Sequence, residues 1–151
     1  MTTAVQQTAG RTLIAPNLFD RLTHRITTDH HDIEHDTAQR ILDQALAFLA
    51  ACATTPQPIG PSDLVDIGWH TFILYTRDYA QFCDRIAGRF IHHAPDDQPG
   101  NVSGTPLSAT IDAIRAAGYR FDPDLWPSAA DCSDKNCNQC YAGCTDSPNK
   151  P

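Results

Sequence analysis

The chain has little positive charge, no long apolar run and none of the common catalytic signatures. Its 151 residues include 11 Lys and Arg against 18 Asp and Glu, which gives a formal net charge of −7. We expect neither nucleic acid nor an anionic membrane as a partner, because both attract clustered positive charge and no such cluster is present. No segment approaches the roughly 18 consecutive apolar residues of a membrane span, and the N-terminal residues lack a signal-peptide pattern. These features predict a cytoplasmic protein.

Sequence motifs of common enzymes are missing as well. The chain has no Gly-rich phosphate loop, no Gly-x-Ser-x-Gly and no His-Glu-x-x-His. Asp63 and Asp66 could form a carboxylate pair, but acidic residues early in a helix are explained by the positive end of its dipole. His31 and His35 have the spacing of helical metal ligands, yet their acidic, turn-like surroundings indicate an exposed charged surface. We expect a protein that is not an enzyme.

Apolar residues recur with helical spacing, and no segment alternates as a strand would. The pattern predicts an all-α fold, a compact single domain of four to five helices with a Cys-rich, largely irregular C-terminal tail. The expected helices cover about residues 17–27, 36–52, 62–72, 76–87 and 107–117, with Asn17, Asp36, Ser62 and Thr76 as N-caps and Gly88 and Gly118 at C-terminal ends. We divide the chain into a flexible arm (1–15), a helical domain (16–126) and the tail (127–151).

Four of the six cysteines lie in the tail, at Cys132, Cys137, Cys140 and Cys144. A reducing cytosol disfavours a disulfide framework, and four thiolates so close together could wrap one zinc ion. An iron–sulfur cluster fits less well, because the spacing departs from both the bacterial and the plant-type ferredoxin patterns. A redox-active thiol cluster, a post-translationally modified segment and a tail without specific chemistry remain as alternatives.

A second candidate metal site consists of His70, Cys83, His92 and His93. Consecutive helices should pack as a hairpin that brings these residues together, and imidazole and thiolate are zinc ligands. The alternative is an aromatic core in which His70 hydrogen-bonds to the backbone and Cys83 is a small buried hydrophobe.

The same region carries a family resemblance. Trp-His-x-x-Ile-Leu-x-Thr-x-x-Tyr-x-x-Phe-Cys begins at Trp69, and Gly-x-Phe-x-His-His-x-Pro begins at Gly88. Between about Ser62 and Trp126 the chain resembles the glycine-rich domain-containing protein-like family, although Phe72 stands where many relatives have a second histidine. The resemblance implies a fold and no defined activity.

The sequence thus predicts a non-enzymatic cytosolic helical domain that binds zinc through the tail cysteines as the first choice of site, with the His/Cys cluster as the second choice. The alternative hypothesis is a carrier or precursor whose Cys-rich segment is modified, with the helical domain as the recognition element. Its partner would be a modifying enzyme or another protein that acts on the tail.

Overall fold

The computed structural model describes residues 6–93 and 106–127, and these residues form an all-α domain, as predicted. The five α-helices in this part of the chain are α1 (Pro16–Asp29), α2 (His35–Thr54), α3 (Asp63–Leu74), α4 (Thr76–Ala87) and α5 (Leu107–Ala116), with 3₁₀ turns at Gly10–Leu13 and Pro123–Leu125. Extended pairing within residues 6–93 and 106–127 is confined to one isolated bridge between Thr8 and Tyr119.

Helix α2 is the centre of the domain and contacts each of the other four helices. It is buried around most of its circumference, as expected of a helix that is apolar on nearly all sides. Its buried residues are Ala38, Ile41, Leu42, Gln44, Ala45, Leu46, Ala47, Phe48, Leu49, Ala50 and Ala51. Helix α3 packs very closely on α2, because Gly68 carries no side chain opposite Ala45; a Cβ there would lie 2.9 Å from the Ala45 Cβ.

The helix ends agree with the sequence prediction at some positions and differ at others. Ser62 caps α3 by accepting from the Val65 N–H at 3.1 Å, and Gly88 ends α4 with a φ of 66°, both as predicted. The other predicted N-caps are one or two residues off, since α1, α2 and α4 are preceded by Ala15, Glu34 and Tyr75. None of these three side chains makes a capping hydrogen bond, so tertiary packing rather than local capping sets those helix starts.

Within the stretch 1–15 that the sequence analysis assigned to a flexible arm, residues between Thr8 and Ile14 contact α2 and the chain after α5. Ile14 is buried, and the Arg11 N–H donates to Asp43 Oδ1 of α2 at 2.8 Å. The Thr8 N–H donates to the Gly118 carbonyl at 2.8 Å.

The segment after α5 returns across α2 and ends beside the start of α3. Buried Gln44 accepts from the Trp126 indole N–H at 2.8 Å and from the Asp122 N–H at 3.1 Å. Arg40 binds both oxygens of Asp122 at 2.8 Å. Ser62 Oγ donates to the Leu125 carbonyl at 2.7 Å, so the last described residues are held at the N-terminal end of α3. No helix in the described ranges has the length and apolar character needed to cross a membrane.

Candidate metal site

Two imidazoles meet one carboxylate at the surface between α3 and the segment that follows α4. His93 Nε2 lies 2.6 Å from Asp66 Oδ1, and His70 Nδ1 lies 3.0 Å from Asp66 Oδ2. Carboxylate and carbonyl oxygens accept hydrogen bonds, so His93 Nε2 donates to Asp66 Oδ1, whereas His70 Nδ1 donates to the backbone carbonyl of Asp66 at 3.0 Å. Asp66, His70 and His93 each offer one ligand atom, and the three atoms lie within 4.8 Å of one another. We call these three residues the His–Asp site.

Helix α3 provides two of the three groups through its own periodicity. Ser62, Asp66 and His70 are spaced by four residues, so they form one ridge that turns by about 40° at each step. Because of this rotation, successive residues of the ridge lie progressively nearer the surface. Ser62 is 4% exposed, and the side chains of Asp66 and His70 are 28% and 62% exposed. Asp66 lies in the first turns of the helix, where the dipole favours a negative charge.

The third group, His93, lies outside any helix and is held by side-chain contacts. The Tyr79 hydroxyl accepts from the Trp69 indole N–H at 2.9 Å and donates to the Ile91 carbonyl at 2.6 Å. The His93 ring packs against Trp69 at 4.1 Å and against His70 at 4.3 Å between centroids. This Trp69–Tyr79–Ile91 relay fixes the chain two residues before His93, and the Trp69 ring supports the imidazole.

The interior beside the relay is apolar enough to shift two protonation equilibria. Burial raises the pKa of the Tyr79 hydroxyl, which therefore stays protonated and able to donate to Ile91. Burial likewise raises the pKa of the Cys52 thiol to about 12, so this cysteine is a thiol at neutral pH. Neither group is a metal ligand in this state; both belong to the packed interior behind the His–Asp site.

The structure brings together only part of the cluster predicted from His70, Cys83, His92 and His93. His70 and His93 are neighbours, whereas Cys83 is fully buried in the core and His92 is exposed against the Phe90 ring at 4.7 Å. Cys83 thus occupies the position expected of a small buried hydrophobe.

Sequence reasoning missed Asp66, which it explained as an acid at a helix start. The spacing Asp66-x3-His70 was a usable signal, because residues four apart share a helix face. The tail cysteines Cys132, Cys137, Cys140 and Cys144 lie outside the described residues.

The donor set of the His–Asp site fits a transition metal. Imidazole nitrogen and carboxylate oxygen bind zinc at about 2.0–2.2 Å, which places tetrahedral ligands roughly 3.3 Å apart. The donor pairs at 2.6 and 3.0 Å would need to separate by roughly 0.7 and 0.3 Å to reach that spacing. Calcium and magnesium prefer oxygen ligands, so the two imidazoles disfavour them. These residues can hold zinc with an open position, as sites with three protein ligands do.

A polar cleft of about 360 Å³ lies between the N-terminal segment, α2 and the chain after α5. Its charged groups differ from those of the His–Asp site. Its lining carries both charges: Arg40 is bidentate to Asp122, and the Arg11 side chain lies 3.9 Å from Asp43. Because cations and carboxylates there already face one another, the cleft offers no ligand set comparable to the His–Asp site.

The fold and site define a helical domain with a candidate transition-metal centre on α3. The model of the UCP032817-like family matches residues 10–104, more than half of the chain, and the chain belongs to that family. No curated protein and no solved structure matches it significantly. The family name states no activity.

The family match overturns the resemblance to the glycine-rich domain-containing protein-like family, which was wrong. Four residues of the motif behind it, Trp69, Tyr79, Phe82 and Cys83, are buried in the core. Two helices that pack as a hairpin need apolar side chains between them. Such residues therefore reflect the packing of α3 and α4 and do not distinguish one family from another.

Proposed function

We propose that this protein is a non-enzymatic, cytoplasmic metal-binding protein whose helical domain holds zinc at the His–Asp site. The observation that carries the proposal is the convergence of His70 and His93 on one carboxylate, Asp66, at 3.0 and 2.6 Å. The three groups come from two separate parts of the chain, which a helix-capping role for Asp66 does not require.

Two further features support a binding role over a purely structural one. His70 is largely exposed, so its contact with Asp66 excludes little water and contributes little to stability. His93 is half-buried and is oriented by Trp69, as expected for a ligand whose ring position is fixed by its surroundings.

The predictions about the tail concern residues outside the described part of the chain. A zinc ion held by the four tail cysteines alone, and a tail that is the substrate of a modifying enzyme, both stay predictions. Neither conflicts with zinc at the His–Asp site, because that site uses other residues.

Zinc titration of the reduced full-length chain by calorimetry tests the proposal. We expect wild type to bind zinc at the His–Asp site in a step separate from any zinc on the tail, and His93→Ala and Asp66→Asn each to weaken that step about 100-fold or more, because each loses one of three ligands. His92→Ala is the matched control. It removes the adjacent, exposed histidine, which is not part of the site, and should leave the affinity unchanged.

The same number of bound zinc ions with the same affinities in wild type, His93→Ala and Asp66→Asn would contradict the proposal. The His–Asp contacts would then be a surface hydrogen-bond network, and any bound zinc would lie elsewhere. Circular dichroism of each variant confirms that the helices remain, so that a loss of affinity reports the lost ligand.

A further inference from the structure

The three ligands of the His–Asp site are held unequally by the fold. The side chains of His93 and Asp66 are 21% and 28% exposed, whereas that of His70 is 62% exposed. His93 packs on buried Trp69 at 4.1 Å between centroids. Beyond His70 the ridge of α3 continues to Leu74, which is 58% exposed. His70 is therefore the ligand nearest to solvent and the one that its surroundings restrain least.

His70 also has a hydrogen bond that metal binding would break. Its Nδ1–H donates to the Asp66 carbonyl at 3.0 Å, one turn earlier in the same helix. Zinc at Nδ1 needs the lone pair of that nitrogen, so the ring proton must then lie on Nε2 and the bond to the carbonyl is lost. His93 and Asp66 give up only their contact with each other, at 2.6 Å, and a shared ion replaces it. Leaving the metal thus restores a bond for His70 alone.

The number of ligands leaves room for a group from another molecule. Zinc takes four ligands, or five in a transition state. Among residues 6–93 and 106–127, the cluster of ligand atoms consists of the three groups of the His–Asp site. Cys83 is fully buried, and exposed His92 packs against the Phe90 ring. A new ligand can therefore bind to the ion before an old one departs.

We propose that the His–Asp site is a transfer site, from which zinc passes to an acceptor with thiolate ligands while His70 leaves first. The inference rests on the proposed function, since it requires zinc at Asp66, His70 and His93. The acceptor must bind zinc more tightly than two imidazoles and one carboxylate do, and soft thiolates meet that requirement. The site suits such a role because α3 and Trp69 position its donors without the ion.

In the transfer step, an acceptor thiolate donates an electron pair to zinc at the open position, and the bond between zinc and His70 Nδ1 breaks. The ring proton of His70 returns from Nε2 to Nδ1 through solvent, and the hydrogen bond to the Asp66 carbonyl forms again. Further thiolates of the acceptor then displace Asp66 and His93. The ion stays Zn²⁺ throughout, so no oxidant or reductant is required.

The chelator pyridylazoresorcinol, which changes colour when it binds zinc, is the probe for the test. The full-length chain is used with its tail thiols replaced, so that the tail does not compete for the ion. The replacements are Cys132→Ser, Cys137→Ser, Cys140→Ser and Cys144→Ser. This background chain is loaded with zinc and mixed with excess chelator in a stopped-flow instrument. We expect the rate of zinc removal to rise in proportion to chelator concentration, and added dithiothreitol to accelerate removal by supplying thiolates.

Variants in the same background test the order in which the ligands leave. His70→Ala should speed removal about ten-fold and weaken zinc affinity about ten-fold, whereas His93→Ala should weaken affinity about 100-fold or more. His92→Ala is the matched control, because it removes an exposed histidine outside the cluster of ligand atoms, and it should leave both quantities unchanged.

The outcomes separate this inference from the proposed function. A removal rate that does not change with chelator concentration overturns the inference, because the ion then leaves before an acceptor arrives. An affinity loss as large for His70→Ala as for His93→Ala overturns it too, and so does a removal rate that dithiothreitol leaves unchanged. In each of these cases zinc binding that requires His93 leaves the proposed function standing. Zinc binding that does not depend on His93 removes the proposed function itself.

Discussion

Tyr79→Phe removes one hydroxyl that links the core to the candidate metal site. The substitution keeps the ring, which packs edge-on against Phe72 at 5.2 Å between centroids, and deletes two hydrogen bonds. These bonds are the one accepted from the Trp69 indole at 2.9 Å and the one donated to the Ile91 carbonyl at 2.6 Å. Both partners would remain buried without a replacement.

The expected loss follows from this count. A buried hydrogen bond contributes a net ~1 kcal/mol, and a buried group left unpaired costs ~1–3 kcal/mol, so two unpaired partners suggest a loss of about 3 kcal/mol in unfolding free energy. In a domain of this size that corresponds to a fall in Tm on the order of 10 °C. Because the relay holds Ile91, two residues before His93, zinc affinity should also fall roughly 10- to 100-fold, as for outer-shell changes at zinc sites.

Urea unfolding and zinc calorimetry on the same samples measure the two effects. Thr23→Val is the matched control, since it removes a buried hydroxyl that donates to the Phe19 carbonyl at 2.7 Å within α1. It should lower stability and leave zinc affinity unchanged. Tyr79→Phe with native stability would refute the hydrogen-bond reasoning. Lowered stability with unchanged zinc affinity would show that the relay does not position His93.

The remaining predictions concern packing, charge and metal dependence. Gly68→Ala should destabilise the domain by ~1–3 kcal/mol in thermal unfolding, because its Cβ would lie 2.9 Å from the Ala45 Cβ and force α3 away from α2; higher stability would contradict this. Arg40→Gln should cost about 1 kcal/mol at pH 7. Since the guanidinium lowers the pKa of Asp122, the difference from wild type should persist down to about pH 4, shrink as the pH falls below that, and vanish once the pH is below the lowered pKa of the folded carboxyl; a constant difference would exclude the pair as its source. A chelator should leave the helical circular dichroism signal intact, because the core does not include the metal; unfolding on chelation would show the opposite.

The helices could be predicted from sequence because the apolar residues of each helix recur every three to four positions. The pattern of α2 located a long buried helix, and Ser62 and Gly88 carried recognisable capping chemistry. The starts of α1, α2 and α4 could not be placed as well, because no side chain caps them and packing against neighbouring helices decides where they begin. Burial of Ile14 before α1 depends on the same long-range packing.

The site was half predictable for a related reason. His70 and His93 were singled out as candidate ligands, and helical spacing placed Cys83 on the inward face of its helix. Spacing could not show whether an inward Cys83 packs in the core or meets the histidines, or that His92 is exposed. A histidine pair on an irregular segment has no periodicity to orient it. Asp66 was explained as an acidic residue in the first turns of a helix, and for that reason it was not considered as a ligand of the His–Asp site.

Protein contacts alone position the three donor groups of the His–Asp site, so the fold should not depend on a metal. Asp66 and His70 are placed by α3, which is fixed on α2 by the close approach at Gly68. His93 is placed by the buried Tyr79 hydroxyl, and so the three groups meet through protein contacts alone. Small zinc modules, by contrast, use the metal to replace a core that they are too short to form. Here the core holds the donors together already, and metal binding at the His–Asp site would add to a preorganised arrangement rather than create it.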